Sequence, residues 1–307
     1  MSRPSGTATL QDAHDALLVD LDGVVQLGSE PVPGAAEALA AARGDGLRIV
    51  FVTNNAARTP HDVATALRAL GVQAGDEEVL TSSTATAATL AERLAPGSRV
   101  LVVGGDGLRE PLRAHGLEPV GSAEDEPVAV VQGWSPDLTW ALLAEGAVAI
   151  RRGCTWVATN RDATLPSPRG PLPGNGAMVA AVAMATGAAP EVIGKPGRAL
   201  FDAAVRRAGA QRPLVVGDRL DTDIAGANAA GLASLLVLTG VSTAQDLLAA
   251  PVEHRPTYVG RDLTVLRQPA APILGASTIG DGLDDLRTQA KAAWGSASTG
   301  PRDLASG

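Results

Sequence analysis

Leu17-Leu-Val-Asp-Leu-Asp-Gly-Val-Val25, LLVDLDGVV, holds the pattern on which the reading of this chain turns. An uninterrupted apolar run stops on a carboxylate, Asp20. A second carboxylate, Asp22, follows two residues later, so both can project to the same side of an extended chain. Gly23 then lets the backbone turn away. A strand with no polar face is covered on both sides, as in parallel sheets flanked by helices. The same arrangement recurs outward from this point. Apolar runs predict strands at 16–20, 48–53, 99–104, 128–133, 155–159, 213–218 and 233–238. Helix-period stretches lie near 34–44, 60–70, 84–94, 107–115, 137–150, 176–186, 197–208, 222–230 and 243–250. Such alternation predicts an α/β fold of right-handed βαβ units with parallel, Rossmann-like sheets.

Composition narrows the class. At 307 residues the chain is long for one domain and fits two. Hydrophobic residues are 45% but aromatics only 2%, so the core must be built from Val, Leu, Ile and Ala. A net charge of −8 argues against a nucleic-acid partner. The single cysteine, Cys154, cannot form an intrachain disulfide and reads as a small core residue of a reducing compartment. No stretch reads as a membrane span, and residues 1–12 show no apolar signal region. A cytoplasmic protein with no membrane partner is expected. Beyond about residue 270 the pattern fades into Gly, Ser and Asp, and 271–307 reads as a weakly ordered tail.

Four segments put reactive side chains at strand ends, where open α/β sheets bind ligands. In LLVDLDGVV, Asp20 and Asp22 would repel unless a cation or a shared proton intervenes; taken alone, the segment is equally a strand followed by an Asp-rich turn. In FVTNNAARTP (51–60) a strand ends in Thr53, Asn54 and Asn55, groups suited to phosphate oxygens, while Thr59-Pro60 carries helix-start chemistry; taken alone, the segment reads as loop and capping chemistry. GKPG (194–197) holds one of only two lysines among 25 basic residues, so Lys195 is a chosen point charge rather than a default surface cation. LVVGDRLDTDIAGANAAG (214–231) ends a strand in Asp218, followed by Asp221 and Asp223. Asp218 suits direct ligation of a hard cation, Asp223 a metal-bound water or the orientation of Lys195, and Asp221 a helix N-cap. VLVVGGDGL (100–108) has the same local shape without a second acid; it could also be taken for a dinucleotide loop, but Glu110 stands where that motif needs a small residue.

In order and in spacing, these segments resemble the four motifs of the haloacid dehalogenase-like phosphatases across about residues 14–265. The intervening stretch resembles the α/β (C2-type) cap of the subgroup that includes nitrophenyl phosphatases, phosphoglycolate phosphatases and pyridoxal phosphatases. TNRDATLPSPRGPLPGNGAM (159–178) is similar to that subgroup's cap elements, and the whole is most similar to actinobacterial glycerol-3-phosphate phosphatases. The resemblance implies core segments at 1–78 and 190–270 with the cap at 79–189. It implies Asp20 as a nucleophile forming an aspartyl-phosphate and Asp22 as acid and base. It further implies Mg2+ held by Asp20, Asp22 (through its carbonyl), Asp218 and Asp223, with Thr53, Asn54, Asn55 and Lys195 binding phosphate. Val24 stands where many relatives carry Thr.

In the cap, Asn160, Arg161, Asp162, Leu165 and Asn175 are the expected substrate-facing residues. Leu165 replaces a histidine of the pyridoxal-phosphate enzymes, and the absence of a nearby stacking aromatic disfavours nucleotides. The expected substrate is a small phosphorylated metabolite, glycerol 3-phosphate first. Arg161 keeps phosphoglycolate open, and a broad-specificity phosphatase is the further alternative. A homodimer through the cap is expected by analogy. A phospho-receiver or other non-catalytic phosphate-binding module would also use Asp, Thr and Lys at strand ends, but would need neither Asp22 nor an inserted cap.

Overall fold

A computed structural model describes residues 8–165, 169–275 and 280–296. The chain forms two compact units, Met1–Leu27 with Pro31–Ile49 and Ala210–Gly307, and Gly28–Glu30 with Val50–Gly209.

In the first unit, strands Ala16–Val19, Pro213–Gly217, Ala233–Val237 and Tyr258–Gly260 lie side by side in that order, all parallel. Every residue of the first two is buried, as continuous apolar runs require in a sheet covered on both faces. Val19 lies opposite Val216, which brings the ends of these two strands together. Helices Ala35–Gly44, Ala225–Ala229 and Ala244–Leu248 belong to this unit.

One expectation is corrected here. Asp284–Ser296, inside the stretch read as a weakly ordered tail, is a helix. Leu286, Ala290 and Trp294 recur every four residues on one side of it and join Leu236, Leu247 and Val259 in a common core cluster. Arg287, also buried, forms ion pairs with Asp281 and Asp284 and donates to the carbonyl of Val259. Flanking Gly, Ser and Asp obscured this pattern. Residues 276–279 and 297–307 of the expected tail lie outside the described residues.

In the second unit, Val52 and Thr53 pair in parallel with Leu80 and Thr81. A separate five-stranded parallel sheet runs in the order Glu191–Val192, Thr155–Ala158, Ala129–Gln132, Arg99–Val103, Glu118–Val120. Val103, Val130, Trp156 and Ala158 pack with Ala149 and Ile150 of helix Trp140–Arg151 and with Val179 and Val182 of helix Asn175–Thr186. Helix Pro60–Ala69 starts with a full capping box between Thr59 and Asp62, as the Thr-Pro pair predicts.

All seven expected strands are present. Six of them end one residue earlier than the apolar runs do, which leaves Asp20, Gly104, Gly133, Thr159, Asp218 and Leu238 just past the ladder. Residues 222–230 depart from a plain helix: Leu220–Ile224 forms a π-helical turn before the short helix Ala225–Ala229. Among the described residues no helix is long and apolar enough to cross a membrane.

Candidate active site

The first unit gathers the acids. Asp20 and Asp218 each follow the end of one of two adjacent parallel strands, and the N–H of Asp20 donates to the carbonyl of Val216 at 2.9 Å. One carboxylate oxygen from each of Asp20, Asp218 and Asp223 lies within 4.8 Å of the other two. Two full charges at that separation repel by about 3 kcal/mol or more at an effective dielectric of about 20. A cation or a proton must therefore offset the cluster. The donors are carboxylate oxygens alone, which fits a hard divalent cation such as Mg2+ and not a soft one.

Backbone packs closely around these acids. The Asp218 carboxylate accepts from the N–H of Val241 at 2.6 Å. A Cβ placed on Gly23 or Gly240 would come within 2.3 or 2.0 Å of the same carboxylate, and one on Gly217 would meet the Asp223 side chain at 2.2 Å. Gly23 also needs its φ of +85°. The three glycines thus let main chain touch the acids, and Thr239 Oγ1 donates to the carbonyl of Gly23. Thr239 and Gly240 had no part in the sequence argument, and Gly217 entered it only as the glycine before Asp218. Gly240 follows the Ala233–Val237 strand by three residues, in the loop after a strand end, and that was the available signal.

The π-helical turn sorts the two remaining acids. The N–H groups of Asp223 and Ile224 both reach the carbonyl of Arg219 at 3.1 Å, and the Asp223 carboxylate accepts from the N–H of Arg219. Asp223 is buried in the cluster. Asp221 points away and takes two hydrogen bonds from the Arg219 guanidinium, at 2.8 and 3.0 Å. That pairing holds its carboxyl below the usual carboxylate range. The expected N-cap role for Asp221 is thereby corrected, since Arg219 occupies the cap position. Asp22 is exposed, stands outside the carboxylate trio and accepts from Gln26 Nε2 at 2.9 Å.

The second unit gathers the amides and the lysine. Thr53 is buried and its Oγ1 accepts from the N–H of Asn55 at 3.0 Å, so its own proton remains to be donated. Asn55 is exposed, and its side chain accepts from the N–H of Ala57 at 2.9 Å. Asn54 Oδ1 accepts from the N–H of Lys195 at 2.8 Å, and its Nδ2 donates to the Lys195 carbonyl at 3.1 Å. Lys195 itself is buried.

The cap-loop candidates divide. Asn160 and Asn175 are buried, with Asn160 Nδ2 donating to the carbonyl of Asn54 and Asn175 Nδ2 to that of Asn160, each at 2.8 Å. Asp162 accepts from Asn54 Nδ2 at 3.2 and 3.3 Å. Arg161 is exposed and Leu165 half-buried. Gly174 and Gly176 have no space for a Cβ because the carbonyls of Asp162 and Arg161 lie 2.3 and 2.4 Å from where it would stand. This close approach lets Gly176 N–H donate to Asp162 and tie the loop to the start of the Asn175–Thr186 helix. At VGGDGL, the Cβ space of Gly107 is taken by backbone of Ala56 and Ala57, and that of Gly104 by Leu108. These glycines serve packing, and the dinucleotide reading loses its basis.

Comparison with known proteins agrees with this picture. Residues 17–118 match a haloacid dehalogenase-like hydrolase model, and residues 192–266 match a second model of that kind. Over 260 residues the chain is 53% identical to D-glycerol 3-phosphate phosphatase of Mycobacterium tuberculosis, covering 85% of this chain and 73% of that protein. A crystal structure of glycerol phosphate phosphatase from M. tuberculosis in complex with magnesium matches with a TM-score of 0.90 at 47% identity, over 94% of this chain and 93% of that one. The p-nitrophenyl phosphatase of Archaeoglobus fulgidus matches with a TM-score of 0.77 at 33% identity, over 82% and 98%. Strand-end acids, sheet topology and these likenesses converge, and the chain belongs to the haloacid dehalogenase-like hydrolases.

Proposed function

We propose that the protein is a Mg2+-dependent phosphomonoester hydrolase that works through an aspartyl-phosphate, with glycerol 3-phosphate as its substrate. The trio of half-buried Asp20 with buried Asp218 and Asp223 carries this reading, because three converging carboxylates repel one another and a divalent cation would offset their charge. Those side chains and the carbonyl of Asp22 would hold Mg2+, which supplies charge neutralisation for an anionic carboxylate meeting an anionic phosphate.

The Asp20 carboxylate attacks phosphorus, and the bond to the alkoxide breaks as Asp22 gives that oxygen a proton. Asp22 then takes a proton from a water, the water attacks the aspartyl-phosphate, and phosphate leaves with Asp20 restored. The hydroxyl of Thr53 and the ammonium of Lys195 hold phosphoryl oxygens as charge moves onto them. The domain division proposed is a cap at 79–189 between core segments 1–78 and 190–270; four strands of the five-stranded sheet, from Arg99 to Ala158, support it, while the edge strand Glu191–Val192 falls two residues past its boundary. Trp140 and Met184, 82% and 91% exposed on two of the helices that pack with that sheet, support a homodimer through the cap. A cytoplasmic location is proposed on the single cysteine.

The test is phosphate release from glycerol 3-phosphate, phosphoglycolate and nitrophenyl phosphate, with Mg2+, with EDTA, and with Asp20→Asn. Release from glycerol 3-phosphate that needs Mg2+ and is abolished in Asp20→Asn is expected. A preference for phosphoglycolate would assign the exposed Arg161 to its carboxylate. Release unaffected by Asp20→Asn would refute the mechanism.

A further inference from the structure

Asn54 stands at a strand end beside Thr53, where a side-chain amide is expected to reach for a phosphate oxygen. Its hydrogen bonds show it engaged otherwise. The amide carries two N–H bonds and one carbonyl oxygen. Nδ2 lies 3.1 Å from the Lys195 carbonyl and 3.2 and 3.3 Å from the two Asp162 oxygens, which uses both hydrogens. Oδ1 takes the Lys195 N–H at 2.8 Å. Turning the amide over would set its NH2 against the Lys195 N–H and its oxygen against the Asp162 carboxylate, so the partners fix the orientation. Gly194 is part of the same fit: a Cβ there would lie 2.6 Å from Asn54 Oδ1 and 2.2 Å from the carbonyl of Thr159. The Asn54 carbonyl is held in turn by Ser82 Oγ and Asn160 Nδ2, each at 2.8 Å.

We infer that Asn54 is a positioning residue that grips both polar groups of the Lys195 backbone and so sets where its ammonium stands, and that Asp162 acts through Asn54 by holding the amide in that orientation. Asn54 is then not a phosphate ligand through its side chain, and Asp162 is not a substrate-reading residue. This inference rests on the reading of Lys195 as the phosphoryl-binding cation.

A double-mutant cycle separates the two. Lys195→Ala, Asn54→Ala and the double variant are measured for kcat/KM with glycerol 3-phosphate and for the dissociation constant of inorganic phosphate by calorimetry, with melting temperature as the control for folding. Lys195→Ala is expected to lower kcat/KM about 10²–10³-fold, the loss typical of one donor to a developing charge. Asn54→Ala is expected to cost about 10–100-fold, the scale of a misplaced group, and nearly nothing further in the Lys195→Ala background, in both readouts. Asp162→Ala, the second route should Asn54→Ala fold poorly, should lose activity in the same Lys195-dependent way. Asp162→Asn should recover most of that loss, because its carbonyl still accepts from Asn54. Losses from Asn54→Ala that persist undiminished without the lysine would overturn the inference and leave the phosphatase reading intact. A Lys195→Ala variant with full activity and full phosphate affinity would remove the reading of Lys195, and the inference with it.

Discussion

Adding one methyl group at Gly240 should cripple a carboxylate that the methyl never replaces. An alanine Cβ there would lie 2.0 Å from Asp218 Oδ2 and 2.5 Å from its Cγ, whereas ordinary contact begins near 3.4 Å. The carboxylate would have to retreat by about 1.4 Å, the difference between those two distances. That movement gives up its 2.6 Å hydrogen bond from Val241 and its place beside Asp20 and Asp223. Overpacking a tight site costs about 1–3 kcal/mol and a hydrogen bond to a charged group contributes about 1.5–3, so with partial relaxation the loss should be about 2–4 kcal/mol. Gly23→Ala should cost more, because a 2.3 Å approach to the same oxygen adds to a φ of +85° that a side chain tolerates only at about 1–2 kcal/mol. Gly46 supplies the control: its φ is +94°, but nothing lies within 4 Å of its Cβ position. Gly46→Ala should therefore show the backbone cost alone. The assay is urea unfolding together with Mg2+ titration of phosphate release. Gly240→Ala and Gly23→Ala should need more Mg2+ for half-maximal activity, and Gly46→Ala should not. A Gly240→Ala protein with the parent's unfolding midpoint and Mg2+ requirement would refute the argument that backbone packing holds Asp218.

Other regions offer independent tests. Trp294 is 3% exposed, donates from Nε1 to the Leu247 carbonyl and lies under the Arg255 guanidinium, so Trp294→Ala should cost about 3–5 kcal/mol in thermal or urea unfolding; no effect would detach the 284–296 helix from the core. The hydrogen bond from Arg287 holds Asp281 below the usual carboxylate range. Its contribution is therefore present above the unfolded value near pH 4 and lost as pH falls through the folded value. The stability gap between the parent and Asp281→Asn should be widest at neutral pH and close in acid. Arg93 meets Glu191 through two hydrogen bonds, but both side chains are nearly half exposed, so Arg93→Ala should shift stability by less than about 1 kcal/mol.

Much of the fold was legible because buried parallel strands leave uninterrupted apolar runs. RIVFVT became the strand Arg48–Thr53 residue for residue. The strands that escaped notice are short or lie at sheet edges. Val79–Thr81 and Tyr258–Gly260 have three residues each, Glu118–Val120 contains a proline, and Glu191–Val192 has only two residues. None is long enough to show a period. The 284–296 helix was missed for a different reason: its apolar positions gain meaning only against the Leu236, Leu247 and Val259 cluster they cover.

At the candidate site, the sequence alone determined which residue types stand at strand ends, and hence Asp20, Asp218 and Thr53, because an apolar run that stops on a polar side chain marks the place where a buried strand reaches its end; Lys195 was legible instead from the scarcity of lysine in the chain. What each polar group touches was decided only by the tertiary structure. Asp221 and Asp223 are two residues apart and look alike in sequence, yet a π-helical turn buries one with Asp20 and Asp218 and turns the other onto Arg219. Asn54 and Asp162 are 108 positions apart, and nothing in either neighbourhood announces that one amide would grip Lys195 and hold Asp162 together. Hydrogen-bond direction and register depend on atoms brought together by packing across the chain, and local pattern carries no record of that distance.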